Sequence, residues 1–275
     1  MTKVEFQTFS AELKKEPGMT ASKTIIVTGS GGTGTGRAIA KKFAAEGFQV
    51  VVSDVNKQGG LDTVEQIKNG GGMATFCYAD IRKENEIKNL IDYAVETYGR
   101  LDTLVNNAQS FKPGLLEDWL EQFQTDLLGT MFCMKYAIET MQNNVGGAIV
   151  NMSSVSALKY ISSNSVAYDA SNSAILRMTT GLVKLKELYN IRVNALASDW
   201  IGTEEILRYI ETLTPEQKVL RKVRDKPNRP EDIANSVYQL ATDEKLFGRI
   251  MVCWCGQQHR LIATNDFAYS KLDNA

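Results

Sequence analysis

With a single histidine, His259, this 275-residue chain has no histidine-based metal centre. It has only four cysteines, and just two of them, Cys253 and Cys255, lie close together. Their one-residue spacing lacks the second ligand pair of a zinc site, so small buried side chains in a reducing compartment are expected. The chain also lacks a Gly-x-Ser-x-Gly turn, which argues against a Ser–His–Asp hydrolase built on His259; that residue is expected at a surface or interface. A net charge of −1 gives no basis for binding nucleic acid or an anionic membrane. No apolar run approaches the roughly 20 residues that span a bilayer. Met1 to Ser22 mixes Glu, Lys and Thr without an apolar core, so no secretory signal is expected and the cytoplasm is the expected location. There are five prolines, and no Pro-, Gly- or Ser-rich linker divides the chain. The expected organisation is an N-terminal arm (1–22) followed by one domain (23–275).

What is present is an alternation of strand-like and helix-like segments. Thr24–Val27 is a short apolar β run that leads into a glycine cluster. Arg37–Glu46 has helical spacing, and Gln49–Val52 is a second strand ending at Asp54. The pattern continues with a helix over Asp62–Asn69, a strand over Met73–Tyr78 and a helix over Glu84–Tyr98. Strands follow at Leu101–Val105 and Ala148–Met152, with one long helix through Trp119, Phe123 and Leu127 between them. Val166–Tyr189 reads as a single long helix, Arg192–Leu196 as a strand, Pro230–Ala241 as a helix and Arg249–Trp254 as the last strand. Such alternation implies an α/β, doubly wound (Rossmann-like), mainly parallel sheet, with ligands held beyond the carboxyl ends of the strands. A pair of helices over 204–225 is expected to form a lid. Its Ile206, Leu207, Tyr209 and Ile210 suit either an apolar substrate pocket or the ordinary core of two helices.

The segment Thr28-Gly29-Ser30-Gly31-Gly32-Thr33-Gly34-Thr35-Gly36 sits between the first strand and the first helix. Glycines there let the backbone approach a pyrophosphate, whose charge meets the free N–H groups of the helix N-terminus. Asp54 follows Gly36 by 18 residues. A carboxylate at that place accepts both ribose hydroxyls of adenosine and repels a 2′-phosphate, so NAD(H) is preferred. Lys57 and Arg37 are near enough in sequence to soften the repulsion, and NADP(H) stays open.

These residues, with Asp80 after the third strand, Asn106-Asn107-Ala108, Ser154 and Tyr168, resemble the short-chain dehydrogenase/reductase family. The resemblance runs from about Thr24 to Gly256 in one register. It implies a seven-stranded sheet, a homo-oligomer (dimer or tetramer), and a small-molecule substrate bearing a carbonyl or hydroxyl. It also implies that Gly29, Gly34, Thr35, Gly36, Asp54, Asn107 and Ala108 serve the cofactor. Asp80 and Ile81 would lie against adenine, and Ile201 and Thr203 near the nicotinamide carboxamide. In the family a serine holds the substrate oxygen and a tyrosine moves its proton. A lysine binds the nicotinamide ribose and lowers the tyrosine pKa, and an asparagine anchors a water.

Ser154 and Tyr168 match the serine and tyrosine, with a gap of 14, one longer than usual. Asn172 stands at the lysine position and Asp126 at the asparagine position. Three more departures border the site. Four residues rather than three separate Gly29 from Gly34, Gln109 replaces the glycine after Asn-Asn-Ala, and Ser198-Asp199 replaces Pro-Gly. Asn172 can still hydrogen-bond a ribose hydroxyl, but it carries no charge, and an ionised Asp126 would push the tyrosine pKa upward. Both changes favour reduction over oxidation and slow turnover in either direction. Lys184 lies roughly 24 Å further along the expected helix and is excluded as a substitute, whereas Lys159, in the loop before Tyr168, could reach inward. Three activities are compatible with these residues. The first is an oxidoreductase acting on a carbonyl or secondary alcohol. The second is a dinucleotide-binding protein without turnover. The third is a dehydratase or isomerase using Asp126 or Tyr168.

Overall fold

The computed structural model describes residues 22–110, 119–158, 165–224 and 226–264. The expected N-terminal arm, apart from Ser22, and Lys159 lie outside the described residues. The strands are β1 (Thr24–Thr28), β2 (Gln49–Asp54), β3 (Met73–Tyr78), β4 (Thr103–Asn106), β5 (Gly147–Ser154), β6 (Ile191–Ser198), β7 (Ile250–Cys253) and β8 (Arg260–Leu261). Their order is β3-β2-β1-β4-β5-β6-β7-β8. The first seven pair in parallel, as expected. The eighth is an addition to the expected seven, a two-residue strand antiparallel to β7. It is too short for any periodic pattern to show.

The helices are α1 (Thr35–Ala45), α2 (Lys57–Asn69), α3 (Glu84–Tyr98), α4 (Trp119–Gln122), α5 (Thr130–Met141), α6 (Val166–Gly181), α7 (Leu185–Tyr189), α8 (Glu204–Thr212), α9 (Pro215–Leu220) and α10 (Pro230–Thr242). Two expectations are corrected here. The helix through Trp119, Phe123 and Leu127 is interrupted by a wider π-helical turn at Phe123–Gly129 between α4 and α5. The helix expected over Val166–Tyr189 ends at Gly181 and resumes at Leu185, so Lys184 lies in the connection.

Strands buried on both faces need near-continuous apolar runs, and β1 (TIIVT) and β2 (QVVVSD) supply them. Alternate residues point to opposite layers. Ile25, Val27, Val50 and Val52 pack with Ile39 and Phe43 of α1 and Val237 and Leu240 of α10. Ile26, Val51, Leu104 and Ile149 pack with Ile87, Leu90 and Ile91 of α3 and Met134 and Met141 of α5. The strand order reverses between β1 and β4, which opens a crevice at their carboxyl ends. By contrast, α8 and α9 contain no buried residue, so they are not core helices.

Candidate active site

At the crevice, β1 and β4 end in two loops that interlock. Asn107 N and Ala108 N donate to Thr28 Oγ1 (3.0 and 3.1 Å), and Asn107 Nδ2 donates to Thr28 O and Gly29 O, both at 2.9 Å. Gly29 has φ +65°, and a Cβ there would lie 2.7 Å from Ala108 Cα. A Cβ on Gly36 would lie 2.2 Å from Gly29 O, so α1 can start hard against the first turn only as glycine. The extra residue of the loop is accommodated away from this contact: Gly32 and Thr33 are exposed, while Gly36 stays buried. Gly34 precedes α1 without a side-chain cap, Thr35 opens the helix, and no acidic residue occupies its first turn. The free N–H groups and the helix dipole there suit an anion.

Asp54 closes β2 with both carboxylate oxygens oriented: Oδ2 accepts from Gly31 N (2.7 Å) and Oδ1 from Asn56 N (2.8 Å). Arg37 is committed elsewhere, donating from Nε to Thr63 Oγ1 (2.9 Å) and from its terminal nitrogen to Gly59 O (3.2 Å). Asp80 is buried beyond β3 and clamped by Arg82, whose Nε and terminal nitrogen approach its carboxylate at 2.7–3.1 Å. The Arg82 guanidinium holds the Asp80 carboxyl below the usual carboxylate range. Ile81 is buried next to it.

Ser154 ends β5 and Tyr168 lies in the first turn of α6, where Ser165 caps the helix by accepting from Tyr168 N at 3.4 Å. Ser154 lies beside the Tyr168 phenol and acts to lower its pKa. Burial, with smaller contributions from Asp126 and Asp169, pushes that phenol up to about 12 despite the serine. Asn172, one turn further on, is fully buried, and both polar atoms of its side chain are engaged within the protein. Its Nδ2 donates to Tyr168 O (2.9 Å), and its Oδ1 accepts from Gln109 Nε2 (3.2 Å). Gln109 therefore turns toward α6 rather than toward the glycine loop. Asp126 lies in the π-helical turn with no exposed surface. It accepts from Ser110 N (2.8 Å), from Ser110 Oγ (3.5 Å) and from Gln122 Nε2 (2.5 Å). Burial outweighs these donors and raises its carboxyl to about 6.

A family model described as short chain dehydrogenase matches residues 23–209, more than half of the chain. The chain belongs to the short-chain dehydrogenase family. Glucose 1-dehydrogenase 2 of Bacillus subtilis (strain 168) is 37% identical over 233 residues, covering 81% of this chain and 88% of that protein. An uncharacterized oxidoreductase of Thermotoga maritima is 33% identical over 235 residues, covering 82% and 91%. Among solved structures, a 7α-hydroxysteroid dehydrogenase complexed with NADH and 7-oxo glycochenodeoxycholic acid superposes with a TM-score of 0.76 at 30% identity, covering 84% of this chain and 92% of that one. As a member of this family the chain is a dinucleotide-dependent oxidoreductase acting on CH–OH groups of a small molecule. The interlocked glycine turn, the uncapped helix start and the oriented Asp54 carboxylate fit such a cofactor. Among the described residues no helix is long and apolar enough to cross a membrane, and no group of three or more His, Cys, Asp or Glu could hold a metal.

Within this short-chain dehydrogenase, Ile201 forms a bridge to Asn228, and Thr203 caps α8 by accepting from Ile206 N (3.3 Å). A Cβ on Gly34 would meet the Thr203 methyl at 2.9 Å, which places Thr203 over the glycine loop. Asp199, from the altered Ser-Asp pair, is buried and bound by Arg224 Nε at 3.2 Å, tying the segment after α9 to the end of β6. His259 is partly exposed, with Nδ1 2.6 Å from Ser236 Oγ on α10. The partners of the altered positions, Gln109, Ser110, Gln122 and Arg224, and Arg82 on Asp80, were not foreseen from sequence. Only Gln122 carried a usable signal, its spacing of four residues from Asp126 on a helix.

Proposed function

We propose that the chain is an NAD(H)-dependent oxidoreductase that interconverts a carbonyl and a secondary alcohol, with Ser154 and Tyr168 as its chemical pair. Turnover is slow and favours reduction. The observation that carries this reading is the Tyr168 phenol beside Ser154, pushed up to about 12 mainly by burial. A neutral phenol at pH 7 can give a proton to a carbonyl oxygen but accepts one from an alcohol poorly. The bound dinucleotide supplies or takes the hydride. Ser154 Oγ holds the substrate oxygen, the Tyr168 hydroxyl exchanges the proton, and Asn172 offers no cation to stabilise the tyrosinate. Asp126, once ionised, adds a negative charge that keeps the phenol protonated.

Preference for NAD(H) is supported by Asp54 facing the loop with both oxygens fixed, and by the commitment of Arg37 to Thr63 and Gly59. The half-buried Ile206, Tyr209 and Ile210 on α8, with no core to join, support a lid over an apolar substrate. The four free cysteines suit a reducing, cytoplasmic setting. The exposed Leu120, Leu128 and Met131 along α4, the π-helical turn and α5 suit association into a dimer or tetramer.

The test is turnover in both directions, with apolar ketones and their alcohols, from pH 6 to 10. Reduction faster than oxidation at pH 7, with oxidation rising toward pH 10, is expected. A faster oxidation at pH 7 would overturn the directional reading.

A further inference from the structure

One side-chain amide joins the two elements that carry the hydroxyl pair. Gln109 stands just beyond β4, half-buried. Its Nε2 donates to Met152 O at 3.0 Å, two residues before Ser154 on β5, and to Asn172 Oδ1 at 3.2 Å, one turn after Tyr168 on α6. Both amide hydrogens are used, one on each element. Asn172 completes the junction: its Nδ2 donates to Tyr168 O (2.9 Å), and its backbone O accepts from Ser153 Oγ (3.1 Å). A glycine at position 109 has no side chain with which to make this bridge. A lysine at position 172 would face Gln109 Nε2 with an ammonium, which only donates, in a place with no exposed surface. Each residue therefore suits the other better than it suits the family's residue at the opposite position.

We infer that Gln109 is a positioning residue that acts through Asn172, the pair forming one uncharged device that sets the spacing of Ser154 and Tyr168. Two of the chain's departures from its family are then a single change, and a lysine placed at 172 reaches the tyrosine only when Gln109 is removed. The kinetic consequence rests on the function proposed above; the coupling of the two side chains does not.

The experiment compares Gln109→Gly, Asn172→Lys and the double variant with the unmodified full chain. Thermal denaturation without nucleotide comes first. The double variant is expected to be more stable than the summed single effects predict, by about 2–4 °C in Tm, the size of one net buried hydrogen bond in a chain of this length. If Asn172→Lys fails to fold alone while the double variant folds, the coupling is supported in its extreme form. A double variant that also fails to fold overturns it.

The second readout is alkaline absorbance titration of Tyr168, identified by its loss in Tyr168→Phe made in each background. The double variant should titrate about 1–3 pH units below the unmodified chain, and Asn172→Lys alone should not. Additive Tm changes, or an equal fall in the single and double variants, would overturn the inference. Coupling in Tm without any effect on the titration would reduce Gln109 to packing and overturn the positioning role. The third readout is carbonyl reduction with NADH, in which kcat of the double variant should exceed that of Asn172→Lys at least tenfold. Coupling in Tm and titration with no turnover in any variant would support the device and count against the proposed function instead.

Discussion

Asp126→Asn should make the protein more stable at pH 8 relative to the unmodified chain than it does at pH 5. Asp126 has no exposed surface, and burial lifts its carboxyl from 3.8 to about 6 against three hydrogen-bond donors. Because its folded pKa lies above its unfolded one, the folded state binds the proton more tightly. The protonated carboxyl is therefore most favourable to folding below pH 3.8, and that advantage is lost as pH rises through 6. The full penalty once ionised is about 3 kcal/mol at about 1.4 kcal/mol for each pH unit, with roughly half present at pH 5 and nearly all by pH 7. Asparagine does not titrate, but its amide nitrogen meets Gln122 Nε2 unless one of the two amides turns, which costs about 1 kcal/mol of hydrogen bonding at any pH. The stability difference, variant minus unmodified, should therefore rise by about 1–2 kcal/mol between pH 5 and pH 8, or roughly 2–8 °C in Tm. Chemical denaturation at pH 5, 6, 7 and 8 measures it. A difference that is flat or falls with pH would show that Asp126 is not the buried titrating group.

Three further outcomes follow from the site. Gly36→Ala places a methyl group 2.2 Å from Gly29 O, so α1 must move; a loss of about 1–3 kcal/mol and at least tenfold weaker NADH binding are expected, measured by denaturation and fluorescence titration. Asp54→Asn removes the negative charge while keeping one acceptor for the Gly31 and Asn56 N–H groups. The ratio of NADPH to NADH affinity should rise about tenfold, and an unchanged ratio would remove Asp54 from specificity. Tyr168→Phe should lower kcat by about 10²- to 10⁴-fold while leaving the NADH Kd within about threefold, and equal effects on both would make the phenol a binding group.

The sheet was legible because its strands are apolar runs separated by helix-length segments, and buried parallel strands cannot be written otherwise. Gly29, Gly36 and Asn107 were legible for a similar reason, since close backbone approach leaves few choices of residue. The break after Gly181 was not, because the apolar spacing continues through Leu182 and Leu185 while the backbone turns. The π-helical turn at Phe123–Gly129 was hidden too, as one extra residue in a helix leaves no periodic trace over so short a stretch. The departures Gln109, Asp126 and Asn172 were visible as letters, but their meaning was not. Gln109 meets Asn172 across 63 positions and Ser110 meets Asp126 across 16. Only the assembled β4, β5 and α6 show that the residues after Asn-Asn-Ala hold both altered positions.

The most direct test of the account is titration of the full chain with NADH and with NADPH, followed by the fluorescence of the reduced nicotinamide. Saturable binding of NADH, at least tenfold tighter than NADPH and lost in Gly36→Ala, is the predicted result. Binding of neither nucleotide, or tighter binding of NADPH, would contradict the assignment of the glycine turn and Asp54 to an NAD(H) site.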